Sequence, residues 1–220
     1  MRALALLLLL AGCALTTARD ARVLVIGDSV LRWGRLSGDD VGSALSRALG
    51  APVESRAVLG ARVSSPDGGG LLGPDISRQD VSGSFDWIVT NGGANDLAAE
   101  CGCGACGGTL DALIAPNGLS GEIPSFVARL RSTGARVIYV SYYGPSGRGG
   151  AFDACEGELM ELADRAEAMA AAMDGVIHVP TARLISRADP SDYASDDVHP
   201  SASGARDIAG AVAAVIRTGG

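Results

Sequence analysis

The sequence predicts an α/β domain built on a parallel sheet. Two observations carry that expectation: short apolar, β-branched runs recur along the chain, and segments with helical periodicity separate them. Such alternation belongs to a parallel sheet covered by helices on both faces. A chain of 220 residues, 47% hydrophobic and 20% charged, is long enough for one domain with a substantial core, and its composition is not that of a disordered segment.

Taken in order, residues 22–26 (RVLVI) read as a buried first strand ending at Gly27. Val41, Leu45, Ala48 and Leu49 recur at helical spacing, and Gly50 stops that helix. Residues 53–58 read as a second strand. Residues 64–84, rich in Ser, Pro, Gly and Asp, read as a loop with little regular structure. Residues 86–90 (DWIVT) form a third strand, followed by a Gly/Cys-rich insertion at 100–108. Glu122–Arg131 carries a helical pattern, with Pro124 tolerated in its first turn. Residues 136–141 (RVIYVS) make the fourth strand, 156–173 an Ala-rich helix of good propensity, 175–179 (GVIHV) the fifth strand, and 205–216 a final amphipathic helix. No internal repeat, linker or second domain is visible, so residues 22–217 are expected to form a single domain.

The first residues stand apart from this pattern. Arg2 followed by the apolar run 3–11 has the form of a signal peptide, and the run is shorter than the ~20 residues that span a bilayer. Leu10-Ala11-Gly12-Cys13 resembles a bacterial lipobox, in which cleavage leaves a lipidated cysteine at the mature N-terminus. The expectation is therefore a signal peptide at 1–12 and a lipid-anchored Cys13; an ordinary secretory signal with an incidental cysteine is the plainer alternative. Ala14 follows the cysteine, without the Asp that signals inner-membrane retention, so resemblance to bacterial lipoproteins implies an outer-membrane protein facing the periplasm.

Charge and cysteine content fit export. All 18 basic residues are arginine, which reads as the codon bias of a GC-rich genome, and the net charge is −7. Removal of Arg2 leaves 17 basic against 25 acidic residues, a balance of −8. With no basic cluster, a nucleic-acid partner is not expected. Apart from Cys13, four cysteines remain: Cys101, Cys103, Cys106 and Cys155. In an oxidising compartment they are expected to form two disulfides, with three pairings open. Four zinc ligands are the alternative reading.

Five positions have the chemistry of an acyl-transfer site. Ser29 follows the first strand, where functional groups of an open parallel sheet gather; a helix N-cap is the bland reading. No Gly-x-Ser-x-Gly elbow occurs. A serine nucleophile needs a base, and the chain has only His178 and His199. His178 lies within an apolar strand and reads as a satisfied core residue. His199 sits in a polar loop, with Asp196 three residues before it, a spacing that brings a carboxylate to one ring nitrogen and leaves the other free. Asp192 and Asp197 compete with Asp196 for that role, and a solvated loop acid is the bland reading. Asn95, in Gly92-Gly93-Ala94-Asn95-Asp96, offers an uncharged donor suited to an oxyanion hole, or is simply a turn residue. Gly60 follows the second strand and offers an unobstructed N–H, or merely ends that strand. Trp33 and the Tyr142-Tyr143 pair either line the site or pack at strand ends. Gly68-Gly69-Gly70 lacks the Lys-Ser/Thr of a phosphate loop.

The order of these motifs resembles that of the SGNH/GDSL hydrolase superfamily. Gly27-Asp28-Ser29 matches its first motif, Gly60 its second, Gly93-Ala94-Asn95-Asp96 its third and Asp196-Asp197-Val198-His199 its last, so the likeness covers residues 22–217. It implies a flavodoxin-like three-layer α/β/α sandwich on a five-stranded parallel sheet. It also implies a serine ester hydrolase acting on acyl or O-acetyl esters, with Ser29, His199 and Asp196 as the triad and Ser29, Gly60 and Asn95 as oxyanion donors. No metal or cofactor is implied, and the expected partners are a small-molecule or glycan ester and the membrane. The Cys101–Cys106 cluster departs from the general pattern; bridged to Cys155 it would brace the wall of the cleft. Two rivals use the same fold: a glycan O-acyltransferase and a non-catalytic envelope-binding lipoprotein.

Overall fold

A computed structural model describes residues 21–63 and 74–220. The expected signal peptide and Cys13 lie outside the described residues, as does Gly68-Gly69-Gly70. Five strands, β1 (Val23–Val25), β2 (Val53–Ser55), β3 (Trp87–Thr90), β4 (Arg136–Val140) and β5 (Val176–Val179), form one parallel sheet in the order β2-β1-β3-β4-β5. β1 is the interior strand at which the chain reverses direction: Leu24 pairs with Glu54 on one side and Ile88 on the other. Its three residues are all buried, which is why the run carries no polar alternation.

Among the described residues seven α-helices flank the sheet: α1 (Ser29–Arg32), α2 (Val41–Leu49), α3 (Ala94–Cys101), α4 (Gly107–Leu113), α5 (Glu122–Arg131), α6 (Glu156–Ala172) and α7 (Ala202–Thr218). Connections between parallel strands are right-handed. Because the chain moves one way from β1 to β2 and the other way through β3, β4 and β5, its helices fall on opposite faces. α2 packs along α7, α5 against β4 and α6 against β5. The core between the layers is led by fully buried Leu24, Ile26, Leu31, Ile88, Leu97, Ile138 and Tyr139. The five-stranded parallel α/β architecture is as expected. Among the described residues no helix is long and apolar enough to cross a membrane.

Several boundaries differ from expectation. Regular β2 ends at Ser55, although Arg56 and Val58 still donate backbone bonds to Val25 and Gly27 at 2.7 and 3.0 Å; the extended run to Val58 survives as a ladder that has lost strand regularity at the sheet edge. The helix α3 was not expected; it runs into the Cys-rich insertion at 100–108, whose middle, 102–106, is turn before α4 begins at Gly107. Glycine and asparagine at the start of α3 hid it, since these residues otherwise read as turn. Within the expected 64–84 loop, Ile76–Arg78 forms a 3-10 turn capped by Asp75, and Ile76 is fully buried.

Candidate active site

In a sheet of order 2-1-3-4-5, the connections after β1 and β3 leave toward opposite faces, opening a crevice beyond the strands' C-terminal ends. The two segments that emerge there are Gly27-Asp28-Ser29 and Gly92-Gly93-Ala94-Asn95. Gly27 takes φ +137°, and a Cβ there would lie 2.1 Å from Asn91 Oδ1, so no other residue fits. Gln79 clamps it from outside: the Gly27 N–H donates to Gln79 Oε1, and Gln79 Nε2 donates to the Gly27 carbonyl, both at 2.7 Å.

Ser29 then opens α1 as its first residue and is half-buried. Its N–H has no partner within the helix, as at any helix start. Asp28 is the N-cap: its carboxylate accepts the Val30 N–H at 2.9 Å and Asn91 Nδ2 at 2.7 Å, and Tyr142 donates its hydroxyl to the other oxygen. Asn91 in turn accepts the Asp28 N–H at 2.9 Å. Burial raises the Asp28 carboxyl above the ordinary aspartate range, against the opposing pull of these donors. Burial, and then the Asp28 charge, push the Tyr142 hydroxyl well above its usual value, so it remains a donor.

His199 enters from the loop before α7. Its Nδ1 lies 2.6 Å from Asp196 Oδ2, while Asp196 Oδ1 accepts the backbone N–H groups of His199 and Val198 at 3.0 and 3.1 Å. Burial pulls the Asp196 carboxyl upward, but the bonds from His199 and Val198 prevail and hold it below the ordinary range. Its stabilising contribution is therefore present above the ordinary aspartate value and is lost as pH falls through the lowered folded value. The two competing acids are engaged elsewhere: Asp192 accepts the Ser186 N–H at 2.7 Å, and Asp197 accepts from Arg148 Nε at 2.7 Å. Asp197 occupies the left-handed region at φ +58°, unusual for a non-glycine residue, and the turn it makes presents His199. Tyr143 secures the same loop by donating its hydroxyl to the Val198 carbonyl at 2.8 Å.

Asn95 lies in the first turn of α3 and not in a free loop, so the helix N-terminus adds its positive end to the donor. One N–H of its amide is held by the Ala61 carbonyl at 2.9 Å, which orients the group. The adjacent Asp96 accepts the Val63 N–H at 3.0 and 3.1 Å. The segment carrying Gly60 is thus tied to the end of β3. Gly60 itself has φ +68° and is exposed.

Ser29, Asn95 and His199 line one cleft with Tyr143, Phe152 and Leu159; Gly60 is not among its lining residues. Among the described residues no hydrogen bond joins Ser29 Oγ to His199 Nε2. In the absence of substrate such bonds are commonly long and tighten in the reacting complex. The arrangement holds a hydroxyl, an imidazole oriented by a carboxylate, and amide donors around one cavity.

A family model described as the GDSL-like lipase/acylhydrolase family matches residues 25–206. The chain belongs to this family. No functionally curated protein sequence is matched. Among solved structures, the GDSL-fold chain is similar to a GDSL-like lipase from Bacteroides thetaiotaomicron, at 20% identity and TM-score 0.62, covering 92% of this chain and 91% of that one. It is similar to a carbohydrate acetylesterase from Sinorhizobium meliloti at 14% identity and TM-score 0.62, with coverages of 90% and 99%. It is also similar to a family two carbohydrate esterase from Clostridium thermocellum, solved with cellohexaose, at 16% identity and TM-score 0.60, with coverages of 91% and 64%.

Several residues around this GDSL site escaped the sequence reading. Asn91 and Gln79 carry no motif signal; their roles arise only where the ends of β1 and β3 meet. Arg148 lies 49 positions from Asp197, with nothing local to pair them. Trp33 was expected to line the site or to pack, and it does the latter, stacking on the His199 ring with centroids 4.0 Å apart. His178 is a correction: the residue is half-buried, its Nε2 is buried without a hydrogen-bond partner among the described residues, and burial lowers its pKa, so it is neither fully in the core nor satisfied. The cysteines pair as Cys101–Cys106 and Cys103–Cys155, which leaves none of these four as a thiolate for the zinc alternative.

Proposed function

We propose that this protein is a serine esterase that hydrolyses small acyl esters, O-acetyl esters of glycans foremost. The observation that carries this reading is the shared cleft: Ser29, Asn95 and an imidazole oriented by Asp196 line the same cavity. In the reaction, Ser29 Oγ attacks the ester carbonyl while His199 Nε2 takes its proton. The Ser29 N–H and the Asn95 amide, both on the cleft, donate to the oxyanion; Gly60, expected as a third donor, does not line that cleft. His199 returns the proton to the departing alkoxide, leaving an acyl-serine. Water, deprotonated by His199, attacks that ester; the tetrahedral intermediate collapses, the proton goes back to Ser29 and the carboxylic acid leaves. Asp196 holds the imidazole in one tautomer and supports its positive charge. The scheme needs no metal or cofactor.

Support for an acyl substrate comes from the apolar side chains of Tyr143, Pro145, Phe152 and Leu159, which line the same cleft as Ser29. Support for a sugar alcohol comes from similar structures described as carbohydrate esterases. The decisive variant is Ser29→Ala, which should abolish p-nitrophenyl acetate hydrolysis while leaving the circular dichroism spectrum unchanged. Activity in that folded variant would overturn the assignment, and failure of a fluorophosphonate to label Ser29 in the wild type would favour a binding protein. We further propose that residues 22–217 form one domain exported to the bacterial envelope and held at the outer membrane through lipid on Cys13.

A further inference from the structure

The geometry points to Trp33 as a positioning residue for the reaction, one that fixes the His199 ring and stabilises its imidazolium form. The inference rests on the proposed role of His199. Two contacts carry it. The indole lies on the imidazole with ring centroids 4.0 Å apart and planes inclined by only 4°. The Trp33 backbone N–H donates to the Ser29 carbonyl at 2.8 Å, which makes Trp33 the C-cap of the single turn that Ser29 opens. One residue therefore grips the nucleophile's turn with its main chain and the base with its ring.

Each contact has a separate physical effect. Asp196 holds the imidazole at Nδ1 by one hydrogen bond, which resists turning of the ring about Cβ–Cγ but restrains its tilt only weakly. A flat neighbour on one face limits that tilt and so steadies Nε2. The face of an indole also carries negative quadrupole density, so a cation centred within ~6 Å of it is attracted. During attack His199 becomes such a cation, and the indole is already in place over it. Preorganisation of this kind lowers the barrier because no group must move as charge develops.

The other groups that set His199 protonation are independent of Trp33. Asp196 and the N–H groups it accepts belong to the loop of His199 itself. Asp28 acts on His199 through its charge from the β1–α1 turn. The Arg148–Asp197 pair and the Tyr143 hydroxyl bond to Val198 lie beside it from the segment after β4. All remain when Trp33 changes, so an altered pH profile is attributable to the indole.

The experiment compares wild type with Trp33→Leu and Trp33→Phe, using p-nitrophenyl acetate across pH. Leucine keeps apolar cover but removes the aromatic face. In Trp33→Leu, kcat should fall roughly 3- to 10-fold with KM within about twofold, and the acid limb of kcat/KM should move to lower pH by about half a unit. Trp33→Phe should restore most of both. A fall in kcat with the acid limb unmoved, or no change at all, would overturn the proposal in favour of simple packing. A second readout separates this question from the identity of the nucleophile. Protonated imidazole quenches a stacked indole, so emission lost on acidification should be absent in Trp33→Leu and in His199→Gln but kept in Ser29→Ala. The other tryptophan, Trp87, is buried in β3 beneath Arg136. An acid quench that persists without His199 would show that the stack is not the reporter and would sink the inference, whatever Ser29 does.

Discussion

At the scale of single residues, the site is held by donors and acceptors that each face one way. Asn95 illustrates this: one amide N–H is committed to the Ala61 carbonyl, and the group sits at the positive end of α3. A donor oriented in advance is worth more in the transition state than in the ground state. Asn95→Ala should therefore lower kcat by roughly 10²- to 10³-fold with little change in KM, measured by steady-state kinetics on p-nitrophenyl acetate. An equal rise in KM with kcat intact would assign Asn95 to ground-state binding instead. Asp28 has a different task. Its buried carboxyl gathers the Val30 N–H, Asn91 and Tyr142, so it supports the Ser29 turn from beneath.

Elements meet at the site through loops, and the disulfides decide how firmly. Cys103–Cys155 ties the α3–α4 connection to the turn before α6 and closes a separation of 52 residues; Cys101–Cys106 closes only 5. Chain-entropy bookkeeping gives about 4 kcal/mol for the first and about 2 kcal/mol for the second. Replacing both cysteines of the long bridge by serine should therefore lower the melting temperature more than replacing both of the short one. Thermal denaturation of the two double variants measures this. The long bridge also adjoins Phe152, in the cleft wall, so its loss should affect activity as well. An equal loss of stability in the two variants would mean that the closed loop is not the main effect.

For the whole molecule, the strand order brings the first and last thirds of the chain together. Ser29 leaves β1 and His199 precedes α7, and both line one cleft. The proposed anchor also belongs to this scale. Cys13→Ser should move the protein from the membrane to the soluble envelope fraction when cells are fractionated; unchanged sedimentation would refute lipidation.

The sequence by itself determined the five strands, most of the long helices and the motif residues, because buried parallel strands read as apolar runs and each motif is local. Val53–Ser55 is shorter than the strand expected over 53–58, and α3 was hidden by Gly93 and Asn95, residues that serve turns and helix starts alike. The tertiary structure alone decided how four cysteines pair, and how Asn91, Gln79, Arg148 and Trp33 pack around the site. Asp196, three positions before His199, could be read from its spacing. Most of the other contacts join residues far apart in the chain, about which local pattern carries no information; the direction of a side chain in a folded crevice does.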